Sequence, residues 1–247
     1  PVEMLPTGLE ESFFETDERR AEEIRKEYLQ DRKYLFCTVS RLEREKNIPF
    51  LLEGVRRLKE EDMDPFRLLV IGEGTQREHL EELSRELGLE DTVIFTGNIP
   101  NRELKYYLAA SDLFLFASRS ETQGIVIQEA LAQGCPVVAV RATGVEDAVK
   151  DGRNGYLAPE DVDAWCLKVW KALEGPAVQE MRTRARASVR GCRSVLLAMQ
   201  AEQMYRGCLE KRQKEVAGYV GGHRSGHVAE RGEECAAVSF SRLFKST

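Results

Sequence analysis

The sequence predicts an α/β fold in which a parallel sheet is covered by helices on both faces. Short apolar runs bounded by polar residues recur along the chain, and such runs are typical of strands buried on both faces. Helix-like segments separate these runs, and strict alternation of the two kinds of segment favours parallel strands joined by helices. With 247 residues, of which 42% are hydrophobic, the chain is large enough to bury a sizeable core.

The predicted elements follow one another in order along the chain. The run 113–116 is the clearest strand, because it is short, apolar and bounded by polar residues. The predicted strands are 34–39, 67–71, 92–96, 113–116, 136–140 and 156–157. The predicted helices are 17–30, 48–61, 76–87, 101–110, 125–133, 145–150 and 159–173.

The pattern changes after Gly175. Residues 176–217 predict one or two helices rich in arginine, and residues 218–247 carry five glycines without a periodic apolar pattern, which predicts a poorly ordered tail. Residues 176–247 hold 13 Lys and Arg against 7 Asp and Glu, a net charge of +6. A solvated basic face followed by a tail accounts for this charge, and the alternative is a weak attraction to anionic lipid headgroups.

Residues 117–140 combine a polar loop, a glycine and a helix between two strands. The loop follows the strand 113–116 at its carboxyl end, where open α/β sheets bind their ligands. Gly124 then opens the helix, and a helix start without a bulky side chain exposes backbone N–H groups to an anion. The sequence therefore predicts a phosphate group at this helix start.

Two acids flank the glycine, Glu121 in the loop and Glu129 about one and a half turns inside the helix. At this separation they reach different parts of one extended ligand, which favours a sugar nucleotide. Glu121 is expected near the sugar hydroxyls, and Glu129 is expected to accept hydrogen bonds from the ribose diol.

Arg41 and Lys46 flank the first strand-to-helix turn. Cations near the start of a helix are unfavourable for its dipole, so the pair indicates that an anion is held there. The alternative is a solvated turn in which both cations pair with Glu43 and Glu45.

Three segments resemble the retaining glycosyltransferases of family 4, which have the two-domain GT-B fold. The spacing of Glu121 and Glu129, with seven residues between them, is similar to the family's donor-site signature. Residues 39–47 are similar to its turn carrying an Arg and a Lys, and residues 144–157 to its late turn and "dGxNGyl" stretch. The likeness runs in family order from about residue 34 to 175. Ser40 departs from it, because the family usually has Gly there, and its side chain narrows the space for a phosphate.

The resemblance implies a Rossmann-like domain, the donor-binding half of an enzyme that transfers a sugar from a UDP- or GDP-linked donor with retained anomeric configuration. Arg41, Lys46 and Glu121 are the implied catalytic residues, with the two cations neutralising the leaving diphosphate. The residues implied for donor binding are Gly72, Gly74, Gly97, Asn98, Thr122, Gln123, Gly124, Ile125, Val126 and Glu129. No metal and no cofactor are expected.

The resemblance also implies that residues 1–16 are a linker from a missing amino-terminal domain that binds the acceptor, and that residues 17–175 bind the donor. The isolated chain is therefore expected to bind a donor without transferring the sugar. A lipid or a cell-envelope glycan is the expected acceptor. Two alternatives remain open, a nucleotide-sugar epimerase-like enzyme and a non-catalytic nucleotide-sugar-binding module.

Other classes of protein fit the sequence poorly. Residues 71–74 begin like a dinucleotide-binding fingerprint, but its third glycine position holds Arg77, which argues against a dehydrogenase. No apolar run approaches membrane-spanning length and no secretory signal opens the chain, so a cytoplasmic protein is expected, with peripheral membrane contact as an alternative and no nucleic-acid partner. Six cysteines without metal-type spacing predict free thiols, and Cys135 as a nucleophile is the alternative.

Overall fold

A computed structural model describes residues 7–15, 17–61, 63–175 and 177–221, and it contains one six-stranded parallel sheet. The strands are β1 Tyr34–Val39, β2 Phe66–Ile71, β3 Val93–Gly97, β4 Leu113–Phe116, β5 Val137–Val140 and β6 Gly155–Ala158. Their order in the sheet is β3-β2-β1-β4-β5-β6, and every pair of neighbours is parallel. The α/β fold predicted from the alternating pattern, and the Rossmann-like form that the resemblance implies, are therefore confirmed.

Helices cover both faces of the sheet. They are α1 Glu18–Leu29, α2 Ile48–Glu60, α3 Arg77–Glu86, α4 Asn101–Ala110, α5 Ile125–Ala132, α6 Val145–Ala148, α7 Val162–Leu173, α8 Ala177–Ser188 and α9 Ser194–Gly221. Successive side chains of a strand point to opposite faces, so Phe36 joins one core cluster with α2 and α7 residues. Leu35 and Cys37 join the other cluster, with residues from α1, α4 and α5.

Two helix starts illustrate how local chemistry sets the boundaries. Helix α7 begins at Val162 rather than at the predicted residue 159, because the Asp161 carboxylate accepts a hydrogen bond from the Ala164 N–H at 2.8 Å and caps the helix. The Asp17 carboxylate caps α1 in the same way, accepting from the N–H groups of Arg19 and Arg20. Each aspartate satisfies N–H groups that have no partner inside the helix.

Strand β6 is longer than the predicted strand 156–157. Gly155 pairs with Val137 of β5, and a Cβ at this position would lie only 2.1 Å from the Val137 carbonyl oxygen. Only glycine allows this close approach of two backbones, so Gly155, which precedes the predicted strand, is part of the observed strand. In contrast, α6 ends at Ala148, before the predicted end at residue 150.

The amino-terminal segment 7–15 packs against the sheet domain. Leu9 and Phe13 are buried, and the backbone of Leu9 exchanges hydrogen bonds with the segment that joins α8 to α9. The Gln133 side chain at the end of α5 donates to the Phe13 carbonyl at 2.5 Å. These contacts fix residues 7–15 beside α5, while their role as part of a linker stays a prediction.

The described chain divides into two compact units after Ala201. The first unit holds the sheet, helices α1 to α8 and the start of α9. In the second unit α9 continues to Gly221, past the predicted helical limit at residue 217, and Arg206 pairs with Glu202 at 2.6 Å. The rest of the predicted tail, residues 222–247, lies outside the described residues. No helix in the described part of the chain is long and apolar enough to cross a membrane.

Candidate functional site

The candidate site lies at the carboxyl ends of the strands, where the strand order reverses. Strands β1 and β4 are neighbours at the centre of the sheet, and the chain winds outward from them in opposite directions. Loops that leave such a pair diverge and open a crevice between them. A cavity of about 440 Å³ occupies this crevice, and it is lined by residues from the ends of β1, β2 and β4 and from the start of α5.

The loop between β1 and α2 brings the two predicted cations to the cavity. A short 3-10 turn, Arg44–Lys46, ends at Asn47, whose left-handed backbone (φ 55°) directs the chain into α2. Arg41 and Lys46 both line the cavity, but their environments differ. The Arg41 side chain is 75% exposed and pairs with Glu45 at 3.3 Å, whereas only 15% of the Lys46 side chain is exposed.

Lys46 pairs with Glu121 across the cavity. The Lys46 Nζ lies 2.6 Å from Oε1 of Glu121, and each side chain is 15% exposed. The alternative was that both cations pair with Glu43 and Glu45. Arg41 does pair with Glu45, but Lys46 pairs with Glu121, and Glu43 accepts hydrogen bonds from Thr75. The hydroxyl of Thr75, followed by its backbone N–H, holds the pKa of the Glu43 carboxyl below its usual range.

Helix α5 starts at the cavity wall without a side-chain cap. Gly124 precedes it with a left-handed backbone (φ 57°), which glycine adopts without strain. A Cβ added at Gly124 would lie 3.3 Å from the Gly144 carbonyl oxygen, so the loop before α6 packs closely against this helix start. Thr122, Gln123, Ile125 and Val126, four of the residues implied for donor binding, line the cavity around the glycine. The uncapped N–H groups give this wall of the cavity a partial positive charge.

Glu129 lines the same cavity from inside α5 and is half-buried. Burial raises the pKa of its carboxyl to about 7, and the charge of nearby Glu10 adds to this shift. A carboxylate is costly to bury without a hydrogen-bonding partner, and such groups concentrate at functional sites. Glu129 therefore marks a part of the cavity where hydroxyl groups of a ligand would donate hydrogen bonds to the carboxylate and offset the cost of burying its charge.

The predicted glycines at the ends of β2 and β3 have different surroundings. Gly72 and Asn98 line the cavity, whereas Gly74 and Gly97 are not among the lining residues. Gly72 has a φ of 134°, and an added Cβ would lie 1.9 Å from the Ser40 carbonyl oxygen. Gly74 is in similarly close contact with the Leu42 backbone. Both glycines thus allow the loops after β1 and β2 to approach each other closely.

Several lining residues were not predicted as site residues. Most are apolar side chains at strand ends or in the loop and helix after β3, and one is the acid Glu73. These residues are Val39, Ile71, Glu73, Ile99, Leu104 and Phe116, together with Ser40, which directly follows β1. Val39, Ile71 and Phe116 lie at the carboxyl ends of predicted strands, and this position could have identified them as lining residues from the sequence. Glu73 pairs with Arg77 of α3, so the residue that breaks the dinucleotide fingerprint has a structural partner.

Thiol and metal chemistry find little support in the described residues. Cys135 is fully buried, and burial, followed by contact with Cys37, holds the pKa of its thiol well above the usual range. Such a thiol is a poor nucleophile, which argues against the alternative role of Cys135. Within residues 7–221 apart from the gaps, no three His, Cys, Asp or Glu side chains cluster as metal ligands would.

Residues 19–190 match the family model described as glycosyl transferases group 1. The chain is 35% identical over 158 residues to the alpha-monoglucosyldiacylglycerol synthase of Streptococcus pneumoniae, covering 62% of this chain and 36% of that protein. It is 34% identical over 184 residues to the GDP-mannose-dependent alpha-(1-6)-phosphatidylinositol monomannoside mannosyltransferase of Mycolicibacterium smegmatis, covering 71% of this chain and 48% of the relative. The chain thus spans less than half the length of either relative.

The fold is also similar to that of solved protein structures. Anabaena HepE in complex with UDP and glucose superposes with a TM-score of 0.74 at 22% identity, covering 83% of this chain and 56% of that one. Sucrose-phosphate synthase from Thermosynechococcus elongatus gives a TM-score of 0.74 at 25% identity, covering 85% and 53%. At these identities the likeness describes the architecture, a sheet domain that corresponds to about half of each solved chain.

Proposed function

The chain belongs to the glycosyl transferases of group 1, and from this we propose that it is the donor-binding domain of a retaining enzyme that transfers a sugar from a nucleotide diphosphate sugar to an acceptor. One observation carries the proposal. Two cations, an uncapped helix start and two acids line one cavity at the reversal point of a parallel sheet. This arrangement offers positive charge to a diphosphate and carboxylates to the hydroxyl groups on either side of it.

Each group has a distinct role in the proposed site. Lys46, Arg41 and the start of α5 bind the diphosphate and stabilise its charge as the glycosidic bond breaks, so no metal ion is required. Glu129 accepts hydrogen bonds from the ribose diol, and Glu121 accepts from the hydroxyls of the transferred sugar. The placement of Glu121 in the loop before α5 and of Glu129 within the helix supports this division, because the two acids line the same cavity from different elements.

A UDP- or GDP-linked sugar is the proposed donor. The mannosyltransferase relative is named as GDP-mannose-dependent, and the solved HepE structure contains UDP and glucose. A lipid is the favoured acceptor, because one relative is named for a glucosylated diacylglycerol and the other for a phosphatidylinositol monomannoside. A cell-envelope glycan is the alternative acceptor. The protein is proposed to act in the cytoplasm, with a peripheral membrane contact through its basic residues 176–247.

The whole enzyme is proposed to include an amino-terminal domain that binds the acceptor. Coverage of less than half of the relatives' length supports this, since the matched part holds the donor cavity. Two alternatives are a nucleotide-sugar epimerase-like enzyme, which shares this architecture, and a non-catalytic nucleotide-sugar-binding module. They differ from the transferase in what the bound sugar nucleotide undergoes.

Titration calorimetry and a transfer assay on this chain separate these functions. The chain should bind UDP or GDP and the corresponding sugar nucleotides, and it should transfer no sugar to lipid or glycan acceptors unless an acceptor domain is supplied. Absence of binding to UDP, GDP, ADP and their sugars would overturn the proposal. Conversion of the bound sugar nucleotide into its epimer would favour the epimerase-like enzyme instead.

A further inference from the structure

Two groups proposed to bind the ligand bind each other in the free cavity. Lys46 and Glu121 lie 2.6 Å apart, both line the cavity, and each is 15% exposed. In contrast, the neighbouring Arg41–Glu45 pair is 75% and 43% exposed, so water readily replaces either partner. Of these two pairs, Lys46–Glu121 is the one sheltered enough for loss of one partner to matter strongly.

The loops that carry this pair are tied together. The Arg119 N–H donates to the Glu45 carbonyl at 3.0 Å, which joins the loop before α5 to the loop before α2. Behind Glu121, a Cβ added at Gly144 would lie 2.4 Å from the Glu121 carbonyl oxygen, so the backbone has no room to retreat on that side. A ligand therefore separates Lys46 from Glu121 by moving their side chains rather than the loops.

An entering diphosphate competes with Glu121 for Lys46. If the ligand is a bare nucleoside diphosphate, Lys46 turns to the phosphates and leaves the Glu121 carboxylate unpaired beside another anion. A buried charge that loses its partner is costly, and like charges placed together are repulsive. A sugar nucleotide avoids this cost, because its sugar hydroxyls donate hydrogen bonds to the released carboxylate.

From this geometry we infer that the Lys46–Glu121 pair is a selectivity element that disfavours the nucleoside diphosphate relative to the sugar nucleotide. The inference rests on the proposed function and extends it to the product. After transfer, the sugar hydroxyls leave the site, Glu121 recaptures Lys46, and the nucleoside diphosphate is displaced. The same two side chains thereby favour binding of the sugar nucleotide before transfer and release of the nucleoside diphosphate after it.

Calorimetry on Glu121→Gln tests this inference. The variant should bind UDP or GDP about tenfold more tightly than the wild-type chain, because Lys46 no longer has a competing anion. Its preference for the sugar nucleotide over the nucleoside diphosphate should fall. Glu45→Gln is the matched control, since it removes an acid from an exposed pair near the same cavity and should change either affinity less than twofold. Glu121→Ala gives a second measurement in the same direction if the Gln variant does not fold.

A second background separates competition from simple repulsion. In the Lys46→Gln background, adding Glu121→Gln should tighten nucleoside diphosphate binding by a smaller factor than it does with Lys46 present, because only the direct repulsion between the carboxylate and the phosphates is then relieved. An unchanged or weaker affinity for UDP and GDP in folded Glu121→Gln would overturn the inference, as would an equal gain in the Lys46→Gln background. Wild-type binding of the nucleotides, measured in the same series, shows that the proposed function stands even when the inference fails.

Discussion

The two cations predicted from the first strand-to-helix turn are unequal in the folded protein. Both line the cavity, but Lys46 is sheltered while Arg41 lies mostly in solvent. A sheltered charge interacts more strongly with a ligand because fewer water molecules screen it. Sequence alone ranked them equally, since burial of a loop side chain depends on which distant residue covers it.

Lys46→Ala should therefore weaken UDP or GDP binding by roughly 1.5–3 kcal/mol, the range for a hydrogen bond to a charged group. Arg41→Ala should cost less, because the arginine is already solvated. Uridine or guanosine is the control ligand, and its affinity should stay nearly constant in both variants. Equal losses for nucleoside and diphosphate would indicate that the lysine supports the fold rather than the phosphates.

Glu129 makes stability depend on pH. Its pKa is raised from 4.5 to about 7 in the folded protein, so the unfolded chain releases this proton more readily. Glu129 does not lower the free energy of unfolding below pH 4.5. It lowers this free energy progressively as the pH rises to about 7, and by a constant amount above that pH. Glu129→Gln should thus raise the free energy of unfolding by about 1–3 kcal/mol at pH 8 and by little at pH 4. Denaturant unfolding at both pH values measures this, and a gain independent of pH would contradict the assigned cause.

The elements of the sheet domain were predictable because each is decided by local chemistry. Runs such as 113–116 have no plausible position other than a buried strand, and Gly124 marks the start of α5 as expected. Boundaries that depend on tertiary contact were missed, as at Gly155, where the neighbouring strand rather than the local sequence requires glycine. The Lys46–Glu121 pair joins residues 75 positions apart, and no periodicity carries information over that distance.

The glycine that opens α5 can be tested against a glycine of similar backbone elsewhere. Gly124 and Gly88 both have left-handed backbones, with φ values of 57° and 65°, but an added Cβ at Gly88 meets nothing within 4 Å. Both Gly→Ala changes should reduce stability by roughly 1–2 kcal/mol through backbone strain. Only Gly124→Ala should also weaken nucleotide binding, because it alters the helix start at the cavity wall. Thermal unfolding measures the stability of both variants, and calorimetry measures their nucleotide affinity. Equal effects on affinity would contradict the proposal that the start of α5 binds the phosphates.

At the scale of the whole molecule, charge is divided along the chain. Residues 176–247 carry a net charge of +6, while the chain as a whole carries −6. If the basic portion contacts a membrane surface, the chain should co-sediment with vesicles containing phosphatidylglycerol at low ionic strength and dissociate at high salt. Vesicles of phosphatidylcholine alone are the control. Equal sedimentation with both vesicle types, or with neither, would contradict the proposed contact.

The half-buried acid in the cavity also has an evolutionary consequence. Because ionised Glu129 opposes folding at neutral and alkaline pH, a population of variants screened only for heat resistance should accumulate replacements at this position. A population screened for ribonucleotide binding should keep the glutamate and acquire stabilising substitutions at other positions. The two populations would diverge at residue 129 first. That divergence would show that ligand binding requires the glutamate, without a structure of the complex.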